Sequence, residues 1–336
     1  MLKRFLRLAT IALLFILVTA GLLYLDYQKF LQTPLNIEQD MVFAIESGMN
    51  FSDLNKKLKA KNIIEKDRYL KILARCTDRA NKIKTGEYNL SPGLLPDQLL
   101  NTFVSGKVVQ YTMTLVEGWQ THEVLDAIKL NNILETNLKS YNPDTLMAEL
   151  AYPEIVAEGL FFPDTYNFPK GTSDIDFLKR AYLRLQKVLD EEWQQREANL
   201  PYQNSYEALI LASIIEKETG LASERATIAG VFVRRLNKKM KLQTDPTVIY
   251  AMGRQFNGNI RKKDLDINSP YNTYRYKGLP PSPISLVGRE AIYAALHPEA
   301  GNSYYFVAKG DGSHYFSDTL AEHNRAVVKY QLRRGK

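Results

Sequence analysis

The 336-residue chain holds one cysteine and only two tryptophans. A lone cysteine excludes an internal disulfide and a thiolate metal cage. Cys76 also lies too far from the N-terminus to be the lipidated start of a mature chain, and after the helix-like run LKILAR it is expected to be a buried structural thiol. Four histidines, His122, His297, His314 and His323, show no H-x-x-x-H or related spacing, so no metal is expected. No glycine-rich phosphate loop is present either, and no cofactor is expected; Gly310-Asp311-Gly312 reads as a hairpin turn. Internal repeats and low-complexity tracts are absent. With 45% apolar and 24% charged residues, the composition excludes a mostly disordered or collagen-like chain and suffices for a sizeable core.

One apolar run stands out. Residues 8–25, LATIALLFILVTAGLLYL, carry no charge and as a helix would span about 27 Å, close to the hydrocarbon thickness of a bilayer. Lys3, Arg4 and Arg7 precede it, which places the short N-terminal tail in the cytoplasm and the remaining chain outside. Val18-Thr19-Ala20 could pass for a signal-peptide cleavage site, but apolar residues continue beyond it to Leu25, which favours an uncleaved anchor. The net charge of +7 suits anionic partners. Nucleic acid is not expected among them, because the basic surface lies outside the cytoplasm and no recognition motif appears.

Beyond the anchor the pattern predicts an α+β protein. The expected divisions are a cytoplasmic tail at 1–7, the transmembrane helix at 8–25, a juxtamembrane linker at 26–39, a small α+β module at 40–108 and a larger α+β domain at 109–333. In the module, MVFAI alternates as a strand and Ser52 is expected to cap a helix. A second helix covers about 67–76, GEYNL forms a strand, and a helix from Pro96 ends at Gly106. This strand–helix–helix–strand order resembles the LysM-like glycan-binding module, although composition by itself supports only a small α+β domain. In the larger domain, helical pattern recurs at 120–129, 144–150, 174–198, 205–219, 224–237, 286–296 and 319–332. Pro- and Gly-rich segments, including LQTDPTVIY and SPYNTYRYKGLPPSP, read as loops.

The strongest chemical signal is LILASIIEKETG, residues 209–220. On a helical wheel Glu218 lies within about 60° of Leu211, Ile214 and Ile215, whereas Glu216 projects about 160° away. A carboxyl pressed against Leu and Ile loses hydration, so its pKa rises and it can stay protonated as a general acid. The alternative is a rim residue that snorkels into solvent. LQTDPTVIY and SPYNTY concentrate amides, hydroxyls and aromatic faces suited to sugars, although Asn, Asp and Pro are also ordinary turn formers.

ASIIEKET, SER at 223–225, LQTDPTVIY, YNTY, GLPPSPIS and ALHP follow one another in the order of a known family, together with LVEGW, GLFFPDTY and HNRAV. The chain resembles the MltG (YceG-like) endolytic murein transglycosylases of the bacterial inner membrane. The resemblance implies cleavage of the β-1,4 bond between N-acetylmuramic acid and N-acetylglucosamine within peptidoglycan strands, ending in a 1,6-anhydro ring. A single glutamic acid, matched by Glu218 in the Glu-Thr pair, would act as acid and then base. Glu224, Gln243, Asp245, Tyr250, Asn272 and Tyr274 become candidates for substrate binding, with Glu117, Glu158 and Asp164 as further cleft residues. Peptidoglycan synthases are implied as neighbours, and the external domain would lie in the periplasm. The rival expectation is a non-catalytic peptidoglycan-binding scaffold for those synthases.

Overall fold

The computed structural model describes residues 2–332. Helix α1 (Leu2–Gln32) carries the apolar run, and its side chains are exposed from Lys3 to Leu25. Its mean hydropathy reaches 2.5, and it is long and apolar enough to be a single-pass membrane anchor. Among the described residues it is the one helix of that kind. Expected linker residues 26–32 continue the helix.

The chain divides into two compact units. The first comprises residues up to 111 together with 167–171. It holds β1 (Met41–Ile45), α2 (Phe51–Ala60), α3 (Asp67–Cys76), β2 (Gly86–Leu90) and α4 (Pro96–Ser105). β1 and β2 pair antiparallel, from Met41 opposite Leu90 to Ile45 opposite Gly86. Alternation sends Phe43 and Ile45 inward and leaves Val42 exposed. Phe43, Leu54, Leu58, Leu70, Tyr88, Leu99 and Phe103 form the core, and Phe30 from the last turns of α1 joins them. Asp26 accepts from the Tyr69 hydroxyl at 2.9 Å, which ties that end of α1 to α3.

Two local expectations are corrected here. Asn50, not Ser52, caps α2: its side chain accepts from the Asp53 amide at 3.0 Å, because the helix already starts at Phe51. Cys76 is exposed rather than buried. It is the last residue of α3, whose buried face is Leu70, Leu73 and Ala74.

The second unit comprises 112–166 and residues from 172 onward. Its helices are α5 (Thr121–Leu130), α6 (Pro143–Glu149), α7 (Asp174–Gln194), α8 (Ser205–Glu218), α9 (Arg225–Asn237), α10 (Asp245–Met252), α11 (Arg289–Leu296) and α12 (Leu320–Val327). Most of β3 (Tyr111–Thr114) and the start of β4 (Thr165–Phe168) belong to it, and β5 (Tyr305–Ala308) pairs antiparallel with β6 (His314–Ser317). The architecture is α+β. The β5–β6 hairpin closes where the Lys309 amide donates to the Ser313 carbonyl at 2.8 Å, around the expected Gly-Asp-Gly turn. α12 ends at Val327, and a π-helical turn carries the chain on to Leu332.

α8 is the centre of this unit. Asn204 caps it through the Glu207 amide at 3.0 Å, and every residue from Ala208 to Ile215 is buried. It packs against α7, α9, α10 and α11. Its middle is thus buried all round rather than along one stripe, and the helix emerges from the core at its two ends, Ser205 to Glu207 and Glu216 to Glu218.

LQTDPTVIY is a further correction. Instead of a loop, Asp245–Met252 forms α10, with Thr244 at the N-cap and Pro246 in the first turn. Proline is preorganised for that position and its missing N–H costs nothing there.

Candidate active site

A cleft of about 460 Å³ opens at the C-terminal end of α8. Glu218 of α8, Gln243 and Asp245 at the start of α10, and Tyr274 line it together with Arg235 of α9. Tyr305, Phe306 and His314 of the hairpin and His323 and Asn324 of α12 complete much of the lining.

Glu218 is the last residue of α8 and is half-buried. Burial pushes its carboxyl up to about 7, and the negative charge of Asp245 adds to the rise. A hydrogen bond from Thr244 and the positive charge of Arg235 pull in the opposite direction. Thr244 Oγ1 donates to Oε1; among the described residues, Oε2 has no hydrogen-bond partner. A carboxyl that ionises near neutrality, with one oxygen held and the other free, can give a proton and take it back.

Thr244 reaches Glu218 by departing from its local role. A threonine at an N-cap ordinarily accepts from a first-turn amide, worth about 1 kcal/mol to the helix. Here the side chain makes no capping bond. Its backbone is fixed from elsewhere: the Thr244 amide donates to Thr273 Oγ1 at 3.1 Å, and Thr247 Oγ1 donates to the Thr244 carbonyl at 2.8 Å. Gln243, just before it, has φ of 51°, a left-handed conformation uncommon outside glycine. The buried hydroxyls of Thr247 and Thr273 meet at 2.9 Å, so the DPT and NTY segments are laced together beneath the acid. Above them Tyr274 donates to Asp245 Oδ1 at 2.6 Å, which lifts the phenol's pKa in addition to the dominant effect of burial.

The other sequence candidates lie elsewhere. Asn272 is fully buried and its amide donates to the Leu265 and Ile267 carbonyls, both at 2.9 Å, so it shapes the loop that carries Thr273 and Tyr274. Tyr250 donates to Glu158 Oε2 at 3.3 Å and packs on Tyr271 with ring centres 4.7 Å apart. Glu224 does not line the cleft itself; it grips His314, which does. Glu216 accepts from the Gly288 amide at 3.0 Å, and Arg225 Nη2 approaches its other oxygen at 3.8 Å. Glu117 presses against the same glycine, where a Cβ would meet its Oε1 at 2.0 Å. Asp164 accepts from the adjacent Thr165 amide at 2.7 Å.

Glu158 is the second acid that burial pushes to about 7. Its environment is unlike that of Glu218. Thr121 N–H, Thr121 Oγ1, Gly159 N–H and Tyr250 OH all donate to it. Gly159 has φ of 74°, and a Cβ there would lie 2.3 Å from Pro283. These contacts engage the EGLFF motif in packing.

Arg235, His314 and His323 were not identified as site residues from the sequence. Arg235 is almost fully buried and gives its Nε proton to the Tyr304 carbonyl at 2.6 Å and an Nη1 proton to Leu242 at 2.6 Å. His323 stacks on Tyr305 with ring centres 5.3 Å apart, and its buried Nδ1 has no partner among the described residues. Burial and the neighbouring Arg235 charge lower its pKa. The one available signal was HNRAV, which contains His323 and Asn324. Among the described residues no cluster of three or more His, Cys, Asp or Glu side chains could hold a metal ion.

A half-buried acid ending a core helix, held by a threonine hydroxyl and lining a polar cleft, is a candidate for acid–base chemistry. The profile of the YceG-like family matches residues 43–329, and the chain belongs to that family. It is 33% identical to the endolytic murein transglycosylase of Bacillus subtilis over 320 residues, covering 90% of this chain and 86% of that protein. The protein of the same name from Streptococcus pneumoniae D39 is 25% identical over 91% of this chain, which spans 62% of that longer relative. A crystal structure of a YceG-like protein from Listeria monocytogenes is similar with a TM-score of 0.52 at 32% identity, over 86% of this chain and 99% of that one.

Proposed function

We propose that the chain is an endolytic murein transglycosylase with Glu218 as its acid–base residue. The observation that carries this reading is the Glu218 carboxyl, raised to about 7, held through Oε1 by Thr244 and open to the cleft through Oε2. Protonated Glu218 gives its proton to the glycosidic oxygen as the muramoyl C1–O bond breaks. The resulting carboxylate takes the proton of the muramoyl 6-hydroxyl as O6 bonds to C1, closing a 1,6-anhydro ring without water. One carboxyl suffices because the nucleophile is already tethered to the reacting carbon, an arrangement with high effective molarity. A two-carboxylate hydrolase would need a second acid at a set separation.

Gln243, Asp245 and Tyr274 bind the glycan, while Asn272 and Tyr250 act through the loops they brace and Glu224 through His314. The β1-α2-α3-β2 order supports a LysM-like strand-binding role for the small unit. The charges Lys3, Arg4 and Arg7 before the apolar run support an inner-membrane anchor with a cytoplasmic N-terminus and a periplasmic catalytic unit. Peptidoglycan synthases are its proposed neighbours, and nascent strands its proposed substrate. The test is mass analysis of a peptidoglycan digest made by the protein. Release of 1,6-anhydro ends, lost in Glu218→Gln, is the expected result; ordinary reducing ends overturn the transglycosylase reading in favour of a hydrolase, and no cleavage at all favours a scaffold.

A further inference from the structure

His314 is the first residue of β6, and its side chain is 10% exposed on the wall of the cleft. Glu224, 90 residues away at the start of α9, holds it twice. The His314 backbone amide donates to Glu224 Oε1 at 2.9 Å, and the ring Nδ1 lies 2.7 Å from Oε2. An ionised carboxylate only accepts hydrogen bonds, so Nδ1 carries the proton. That leaves Nε2 as the ring's other polar atom, and it has no partner among the described residues. Phe306 packs edge-on against the imidazole at 5.4 Å and restricts its rotation.

We propose that His314 is a glycan-contacting residue whose Nε2 hydrogen-bonds a hydroxyl or acetamido group of the bound strand, and that Glu224 is the positioning residue that holds the ring through Nδ1. This inference rests on the transglycosylase reading of the cleft. Glu224 therefore acts on substrate only through the ring. The pairing also joins the SER motif to the first residue of β6, two positions far apart in sequence that share one contact in the fold.

Asparagine and glutamine separate the two ring nitrogens, since the shorter amide reaches about where Nδ1 lies and the longer one about where Nε2 lies. In the full chain, His314→Gln is expected to lose less activity on peptidoglycan than His314→Asn. His314→Asn should raise KM about tenfold with a smaller change in kcat, as expected for a lost substrate hydrogen bond. Glu224→Gln should act in the same direction by a smaller factor and move the Nδ1 resonance, read from ¹⁵N imidazole shifts at about pH 8. Added to the inactive Glu218→Gln protein, peptide-free glycan strands should move the His314 Nε2 resonance. Equal activity of the Asn and Gln variants at unchanged melting temperature, or an Nε2 resonance unmoved by saturating strands, overturns the proposal. Such a result leaves the function reading standing so long as the wild type releases 1,6-anhydro ends; absence of those ends sinks that reading instead.

Discussion

Glu218 and Glu158 are two carboxyls of one unit, and burial raises both to about 7. Their surroundings differ in what remains open. Glu158 receives hydrogen bonds from four donor groups and is 8% exposed. Glu218 receives one, from Thr244, and its second oxygen belongs to a cleft. A raised pKa by itself therefore identifies a desolvated acid, not a reactive one. The difference between a brace and an acid catalyst is the hydrogen-bonding capacity left for a ligand.

The comparison is broken most severely at Glu218 itself. Glu218→Gln is expected to reduce 1,6-anhydro product release by roughly 10³-fold, within the usual range for general acid–base catalysis, whereas Glu158→Gln retains product formation. Comparable losses in both, measured on equally folded proteins, would erase the distinction. Wild-type activity should fall as pH rises through about 7, since the first step needs the protonated acid.

A thermodynamic contrast comes next. Glu158 ionises at about 7 when folded, against an ordinary value of 4.5, so the folded state binds its proton more tightly. Its contribution is fully present below about pH 4.5, is lost as pH rises to about 7 and stays lost above. The shift corresponds to roughly 3 kcal/mol. Urea titrations from pH 4.5 to 8 should show this slope in wild type and a flatter one in Glu158→Gln; parallel slopes would refute the assignment.

Smaller effects test the supports. Thr244→Val should lower kcat about tenfold and move the basic limb of the pH profile upward, because the lost donor had favoured the carboxylate. Thr244→Ser should restore both, and a variant that shifts neither would place Thr244 outside the machinery. The least change is expected for Tyr250→Phe, which removes one of the four donors to Glu158 and should cost about 1 kcal/mol in denaturation with kcat unchanged.

Much of this was legible because the relevant signals are local. The uncharged apolar run, alternation in MVFAI and the Gly-Asp-Gly turn are each signals carried by a short stretch of chain. At Glu218 the helical wheel separates little, since the middle of α8 is buried on every side and Glu216 also has a pKa raised by burial. Direction, not apolar contact, separates the two acids: one faces the cleft and the other faces Gly288. The segment at 242–250 was misread because Thr-Asp-Pro serves turns and helix starts alike. Arg235 and His314 were invisible for a different reason. Arg235 bonds Tyr304, 69 residues on, and His314 bonds Glu224, 90 residues back, and no local pattern encodes such distances. Cys76 escaped burial through its place at the end of α3.

The grip of Thr244 on Oε1 also sets an order of events in the proposed reaction. With one oxygen occupied, the proton leaves and returns through the same atom, Oε2. The glycosidic oxygen and the muramoyl 6-hydroxyl must then visit the same point in space, one after the other. The departing sugar has to vacate that point before the second hydroxyl can arrive. Since the acid ends a helix packed on every side, the substrate is the partner that moves. In that reaction the sugar ring turns over a single atom of the protein.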